Sequence, residues 1–483
     1  MRNVKALSVL LVGVVAGVLA APNAPVAQAG GGAAKCMQIY VHYQMPAAHL
    51  VPGDEIKLAR YDMFSFNRHR YYQLQPDTYS LVRALNPDII IYNYQQGPDT
   101  WLSSDGANVL SINNIARYNN PMGHSMGNLN TDNPELFMLN TSGERIWSYG
   151  NSNRRWMDFG HPDFQAYWLE ATIHDIVDQD WCPDGILVDN CMVGWASYFC
   201  PQRPANYPTD ADWMEGMLSY HTVLAAGLHA RGIQLWTNTD GPGDAATYGA
   251  WLVLDAEPEA TRPDLLNSEG SFVHSWNTSR AATFYDETRW KRQVGIMRQM
   301  QNCGATTFSH VNIPEGGSGT DNYGRSVTYW DALWYSIGSY LLGQNEQRGS
   351  GNVDYFYFSN TTDRYYKLYW YDEYERIDLG PAMGDYTLTV YGGRNIYWRE
   401  YVRGYVYVNP TGGDCTSIPL PEPCKQLSHE TINDDPATFP DVTSIPLDSH
   451  RAAILLKTAA LDVASVVGRH VFYNHSAFDG DDP

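Results

Sequence analysis

Two periodicities divide the chain. From about residue 36 to 380, short β-rich runs, most of them nearly continuous in apolar residues, alternate with longer amphipathic stretches whose apolar residues recur every three or four positions. The short runs predict strands at Gln38–Tyr43, Asp62–Phe66, Asp88–Tyr94, Gly185–Asp189, Gly232–Asn238, Leu265–Glu269, Thr306–Val311 and Asp354–Phe358. The longer stretches predict helices at Phe164–Asp178, Trp213–Ala230, Trp290–Gln301 and Tyr329–Leu342. Strands that lack polar alternation are covered on both faces, as in a parallel sheet with helices outside it. Eight of them predict an α/β fold, a (β/α)8 TIM barrel over residues 36–380, with a doubly wound open sheet as the alternative.

After about residue 380 the texture changes. Tyr386–Val390, Tyr397–Tyr401, Tyr405–Val408, Ser417–Leu420 and Ala453–Leu456 are short alternating runs separated by Gly, Pro and Asp. They predict a small C-terminal antiparallel β-sandwich over 381–457, leaving 458–483 as a linker or the start of a truncated module. Within the barrel region, residues 95–155 are polar, rich in Asn and Gly, and much longer than an ordinary strand-to-helix loop. On a barrel such a segment lies on the catalytic face, as a lid or a binding surface.

Composition narrows the class. Hydrophobic residues make up 44% and charged residues 18%, which excludes disorder for most of the 483 residues. Thirty-two basic residues against 53 acidic ones give a net charge of −21, which argues against a nucleic-acid groove or an anionic-membrane anchor. Residues 1–29 resemble a secretory signal: Arg2 and Lys5, the apolar run Ala6–Ala20, then Ala27-Gln28-Ala29. Cleavage is expected after Ala29, with Ala20 as the alternative, and no later segment predicts a membrane span. The mature protein is therefore expected to be secreted, extracellular or periplasmic, or attached to the cell surface. Seven scattered cysteines form no disulfide scaffold, although Cys191–Cys200 and Cys415–Cys424 are close enough to staple local loops in an oxidising compartment.

The sharpest chemical signal is Asp184-Gly185-Ile186-Leu187-Val188-Asp189-Asn190. A buried strand ending in a carboxylate delivers Asp189 to the barrel mouth, as a nucleophile or general base. The plainer alternative is that Asp189 caps the next helix or turn. Leu265-Leu266-Asn267-Ser268-Glu269 carries a second carboxylate to the end of the sixth strand, completing the pair that glycosidic cleavage needs. Asp255 competes for that role, and an exposed loop acid is the plainer reading of Glu269. Candidate sugar-binding groups at other strand ends are Asn190, Tyr92, Asn93, Asn238, Asp240 and His310, with His42 ending the first strand. Asp158, beside His161, either orients a loop or caps the helix that follows. Trp101, Trp195 and Trp276 are loop aromatics able to stack on pyranose rings. The chain has no G-x-S-x-G elbow, Walker loop or H-E-x-x-H pair, so neither a cofactor nor a metal is expected. The acidic Asp479-Gly480-Asp481-Asp482 tail reads as a solvated end.

From Gln38 to Leu456 the sequence resembles hypothetical glycosyl hydrolase family fifteen. The resemblance is carried by DGILVDN (184–190) with its preceding helix, SEGSF (268–272), RIDLGPAMGDY (376–386), WREYVRGYVYVNPTGG (398–413) and IPLDSHRAAILL (445–456). It implies a TIM barrel related to α-galactosidase-like glycosidases, with a β-sandwich closing against it. It also implies a nucleophile or base at the end of the fourth strand and a proton donor at the end of the sixth, here Asp189 and Glu269. The expectation is a secreted glycoside hydrolase acting on a poly- or oligosaccharide. The rival is a non-catalytic carbohydrate-binding or cell-surface structural protein on a degenerate barrel.

Overall fold

In this computed structural model the described residues are 37–43, 52–66, 77–102, 109–111, 134–150, 154–178, 184–239, 258–274, 283–302, 306–314, 319–344, 354–363 and 365–461. The leader, Asp240, Asp255, Trp276, Cys36, Cys182, Cys303 and the acidic tail lie outside them, as does the side chain of Trp101. Eight parallel strands close a barrel: β1 (Gln38–Tyr43), β2 (Met63–Phe66), β3 (Ile90–Gln96), β4 (Gly185–Asp189), β5 (Gln234–Asn238), β6 (Leu265–Glu269), β7 (Thr306–Ile313) and β8 (Tyr355–Asn360). Each pairs with its sequence neighbours, and β8 closes on β1. All eight predicted strands are barrel strands, so the open-sheet alternative falls. Outside them lie α1 (Asp54–Leu58), α2 (Asp77–Leu85), α3 (Pro162–Thr172), α4 (Asp210–His229), α5 (Glu287–Asn302) and α6 (Tyr329–Gly343).

The lower rim is tied by a repeated device. Asp62, immediately before β2, accepts the backbone N–H of Ile39 in β1 at 2.8 Å. Asp184, before β4, accepts Ile91 of β3 at 2.7 Å, and Asp264, before β6, accepts Leu235 of β5 at 2.7 Å. Each carboxylate satisfies an amide that the ladder leaves open at the start of the neighbouring strand. Asp354 occupies the same position before β8 and is buried. Asp62 and Asp184 thus belong to the rim, and β3 begins at Ile90, two residues later than predicted, because Asn86 Oδ1 holds the N–H of Asp88 in the preceding turn.

Inside the barrel, alternate residues stack in layers. Trp236 of β5 meets Tyr40 and Tyr92 edge-on, with centroids at 5.4 and 5.6 Å. Tyr92 needs the space beside β4, where a Cβ on Gly185 would lie 2.1 Å from its ring. Above this aromatic floor the inward positions become polar, which builds a site rather than a core.

The C-terminal strands are β9 (Thr387–Tyr391), β10 (Arg394–Tyr401), β11 (Gly404–Asn409), β12 (Cys415–Leu427), β13 (Asp441–Leu447) and β14 (Arg451–Lys457). They form an antiparallel sheet ordered β9-β10-β11-β14-β12-β13. Strand β13 was not predicted, because Pro440 and Pro446 punctuate it; β12 runs through three prolines by way of register shifts in its pairing with β13. One face packs on α6, where a Cβ at Gly338 would stand 2.5 Å from that of Ala452. Fully buried Arg399 donates to the carbonyls of Leu341 and Leu342 at 3.1 and 3.4 Å and to that of Gln344, closing the open end of α6 from the sheet.

The expected disulfides do not form; Cys191, Cys200, Cys415 and Cys424 are free and buried. Cys415 and Cys424 pair with Leu447 and Val442 on β13, five residues and about 17 Å apart along a strand. A disulfide needs Cα atoms within about 7 Å. The thiols of Cys191 and Cys200 instead face local carbonyls, of Asp189 at 3.7 Å and Gln202 at 3.3 Å.

One histidine in this core carries a pH signature. His221 of α4 is 0% exposed, and among the described residues neither ring nitrogen meets a partner. Burial pushes its pKa down from 6.5 to about 3. Below pH 6.5 the unfolded chain binds a proton that the folded chain refuses, so stability falls as pH drops from 6.5 toward 3. Between pH 7 and 4.5 this amounts to about 2–3 kcal/mol. In His221→Leu, urea unfolding at the two pH values is expected to show that much less acid sensitivity than the wild type.

Candidate active site

The upper end of the barrel holds a solvent-open hollow lined by Tyr40, His42, Tyr94, Leu187, Asp189, Trp236, Asn238, Asn267, Glu269, His310 and Tyr365. These are inward residues of β1, β3, β4, β5, β6 and β7, plus Tyr365 from the segment after β8. Both predicted carboxylates are present. Asp189 accepts from Tyr94 Oη at 2.5 Å, from Asn238 Nδ2 at 2.8 Å and from the N–H of Asn190 at 2.9 Å. Glu269 accepts from the same Asn238 Nδ2 at 2.9 Å and from Tyr365 Oη at 3.1 Å, with His310 Nδ1 at 3.7 Å. One amide nitrogen therefore bridges the two acids. Asp189 Oδ1 and Glu269 Oε2 can be no farther apart than about 5.7 Å, the two bonds laid end to end.

Helix α4 is capped by Thr209, reciprocally with Asp212, not by Asp189. The Glu269 side chain is 18% exposed, turned into the hollow rather than lying on an open loop. Tyr94 is held protonated, and hence a donor, by burial first and then by the charge and hydrogen bond of Asp189. Burial, then Glu269 and Tyr365, does the same for Tyr40.

The remaining candidates separate. Asn238 and His310 line the hollow, as does His42, whose Nδ1 lies 2.7 Å from Ser65 Oγ. Tyr92 lies one layer below, donating to Gln234 Oε1 at 2.6 Å. Asn93 is buried on the face of β3 opposite Tyr92 and Tyr94, beside Gln95, whose Nε2 donates to its Oδ1 at 3.4 Å. Asn190 sits behind Asp189 with φ at 59°, buried. Asp158 neither lines the hollow nor caps a helix; Asn206 at 2.8 Å and Tyr207 bind it, and the cap of α3 is His161. Trp195 is covered by the Arg203 guanidinium, 3.9 Å above its ring.

Sequence reasoning missed Tyr94, Asn267 and Tyr365. Tyr94 was passed over because β3 runs two residues farther than its apolar run, so the mouth falls at Tyr94 rather than Tyr92. Asn267 shares the inward face with Glu269 by the two-residue period, a signal that could have found it. Tyr365 follows no motif.

The long segment after β3 also supplies structure unforeseen in the sequence. Asp99–Leu102, Val109–Ser111 and Arg154–Trp156 make a three-stranded antiparallel sheet with Asp99–Leu102 in the middle. Its anchor is Asp99, 0% exposed, which pairs with Arg154 and accepts from Ser148 Oγ at 2.7 Å and Asn190 Nδ2 at 3.1 Å. Burial opposes the Arg154 charge, but Asp99, then Tyr94 and Asp189, outweigh it and raise the guanidinium pKa. Arg154 thus brings positive charge to the side of the site that holds Asp189. Among the described residues no group of three or more His, Cys, Asp or Glu could hold a metal ion, and no helix is long and apolar enough to cross a membrane.

The profile of hypothetical glycosyl hydrolase family 15 matches residues 83–405, a stretch that includes both acids and is narrower than the resemblance read from the sequence. No curated protein matches the chain. Solved structures resemble it at low identity. Trehalulose synthase from Pseudomonas mesoacidophila is 9% identical, with 88% of this chain and 100% of that one covered and a TM-score of 0.49. Trehalose-6-phosphate hydrolase from Bacillus licheniformis is 11% identical, with 87% and 98% covered and a TM-score of 0.44. An α-xylosidase from Xanthomonas citri is 10% identical, with 87% and 46% covered and a TM-score of 0.41.

The Asp99 cluster predicts a large stability effect. Asp99→Ala leaves a mostly buried guanidinium without its partner, and is expected to destabilise the fold by about 3–5 kcal/mol in denaturant titration. A loss below about 1 kcal/mol would contradict the anchoring role.

Proposed function

The chain belongs to hypothetical glycosyl hydrolase family 15, and from that premise we propose that it hydrolyses a poly- or oligosaccharide with Asp189 as nucleophile and Glu269 as general acid and base. The observation that carries this reading is the single amide of Asn238 held between the two carboxylates. Carboxyl groups about 5–5.5 Å apart suit a retaining double displacement, whereas inversion needs roughly 6.5–9.5 Å for an intervening water. The bridged oxygens, within about 5.7 Å, favour retention.

The surroundings support the division of roles. Three donors converge on Asp189, which suits a carboxylate that must remain an anion and attack the anomeric carbon. Glu269 opens to the hollow, and its partner Tyr365 carries a hydroxyl that can donate or accept. Glu269 therefore has a partner in either protonation state. It gives its proton to the glycosidic oxygen as the C–O bond breaks, and Asp189 forms an ester with the sugar. Glu269 then takes a proton from water, the water oxygen bonds to the anomeric carbon, and Asp189 leaves as the carboxylate. When the sugar enters, Asn238 is placed to bind either acid or a substrate hydroxyl. An α-linkage follows from the resemblance to α-galactosidase-like enzymes, and the Arg2, Lys5 and Ala6–Ala20 pattern supports export.

Asp189→Asn and Glu269→Gln are each expected to fold and to lose at least about 10²–10⁴-fold in kcat on a panel of nitrophenyl glycosides. Wild-type turnover in either variant removes that residue from the mechanism. Proton NMR of the first-formed hemiacetal is expected to show the anomeric configuration of the substrate; the opposite anomer would replace the nucleophile with a base.

A further inference from the structure

Three aromatic side chains stand outside the hollow on the same face of the barrel. Trp147, Tyr149 and Tyr198 are 47%, 37% and 58% exposed. The first two belong to the segment between β3 and α3, and Tyr198 to the segment between β4 and α4. Scattered exposed aromatics are ordinary. These are held in place and joined to the catalytic carboxylate.

Tyr149 Oη donates to Asn190 Oδ1 at 2.8 Å, and Asn190 is the residue next to Asp189. Since that hydroxyl is tied to a buried amide, the exposed part of Tyr149 is its ring. Between Trp147 and Tyr149, Ser148 is fully buried and donates to Asp99, which also grips Asn190. One buried carboxylate therefore fixes both the residue beside Asp189 and the backbone that carries the two aromatics. The guanidinium of Arg154 lies 5.0 Å from the Tyr149 ring, and that of Arg155 lies 5.2 Å from the Trp147 ring. The Tyr198 ring is 6.3 Å from that of Tyr149 and inclined 58° to it, so the two rings offer separate faces rather than one plane, and Phe199 supports both at 4.9 and 6.4 Å.

A rigid aromatic surface with few rotamers to freeze binds flat, apolar faces at low entropic cost. A pyranose ring presents such C–H faces, with hydroxyls around its edge. We propose that Trp147, Tyr149 and Tyr198 form a platform for a further neutral pyranose unit of the glycan whose scissile bond lies between Asp189 and Glu269. The occupant is the same glycan because the three aromatics stand on the loop face onto which the hollow opens, and Tyr149 is tied to Asn190, the residue next to Asp189. This deepens the glycoside hydrolase reading and rests on it: the substrate is a chain of several sugars, read by the enzyme beyond the bond it cuts.

The test uses full-length Asp189→Asn protein on an array of neutral oligosaccharides of two to six units, with Trp147→Ala and Tyr198→Ala each added to it. Binding is expected to strengthen with chain length and to weaken about tenfold in either added substitution, with circular dichroism confirming an intact fold. Binding that is independent of length, absent, or indifferent to both substitutions overturns the platform. Wild-type turnover of nitrophenyl glycosides is measured in parallel. Length-dependent binding without turnover leaves the platform standing and removes the hydrolase reading. Turnover with Trp147→Ala and Tyr198→Ala lowering kcat/KM equally on short and long substrates does the reverse.

Discussion

Asn238 offers the hydrogens of one amide to two carboxylates that would otherwise repel across the barrel mouth. With both ionised, two charges no more than about 5.7 Å apart at an effective dielectric of about 20 would oppose each other by at least about 3 kcal/mol. The amide, together with the hydroxyls of Tyr94 and Tyr365, supplies charge-assisted hydrogen bonds in compensation. That compensation lets two acids from β4 and β6 occupy one hollow. Asn238 can do this because β5 lies between those two strands in the closed sheet. The spacing of the acids is thus set by barrel order, not by loop conformation.

Aspartate serves opposite purposes at the two ends of the same strands. At the lower rim, Asp62, Asp184 and Asp264 are spent on backbone amides and lock neighbouring strands together. At the upper end, Asp189 is surrounded by side chains that position it without consuming its access to the hollow. Between them lies a packed aromatic floor of Tyr40, Tyr92 and Trp236. That floor closes the barrel from below, so whatever reaches the acids enters from the loop face, where the Asp99–Arg154 cluster braces the longest insertion. A stiff lower half and an adaptable upper rim follow from placing the repeated hydrogen bonds at one end and the inserted segments at the other.

The barrel was legible because its strands are covered on both faces: most runs from Gln38–Tyr43 to Asp354–Phe358 are nearly continuous in apolar residues, Leu265–Glu269 being among the exceptions, and that pattern has few other uses. The pair Asp189 and Glu269 was legible for a related reason, since a carboxylate closing an apolar strand has one natural location. Tyr365 was not, because it reaches Glu269 from a segment 96 residues farther along the chain and no local pattern records that distance. Asp99 was hidden in a polar insertion where many carboxylates look alike, and only burial distinguishes it. Strand β13 was obscured by prolines that an edge position tolerates. The pair Cys415 and Cys424 misled because closeness in sequence on an extended strand means separation in space.

By itself the sequence determined the order and approximate ends of the barrel strands, and that two acids sit at strand C-termini, since periodicity and strand termination are properties of neighbouring residues. Whether those acids meet, what holds them, and which aromatics stand beside them were decided only by closure of the sheet. Closure brings β4, β5 and β6 side by side and folds the insertion after β3 back onto Asn190. Hydrogen bonds between residues tens of positions apart depend on relative placement to within an ångström, and that precision arises from packing the whole barrel rather than from any one segment of it.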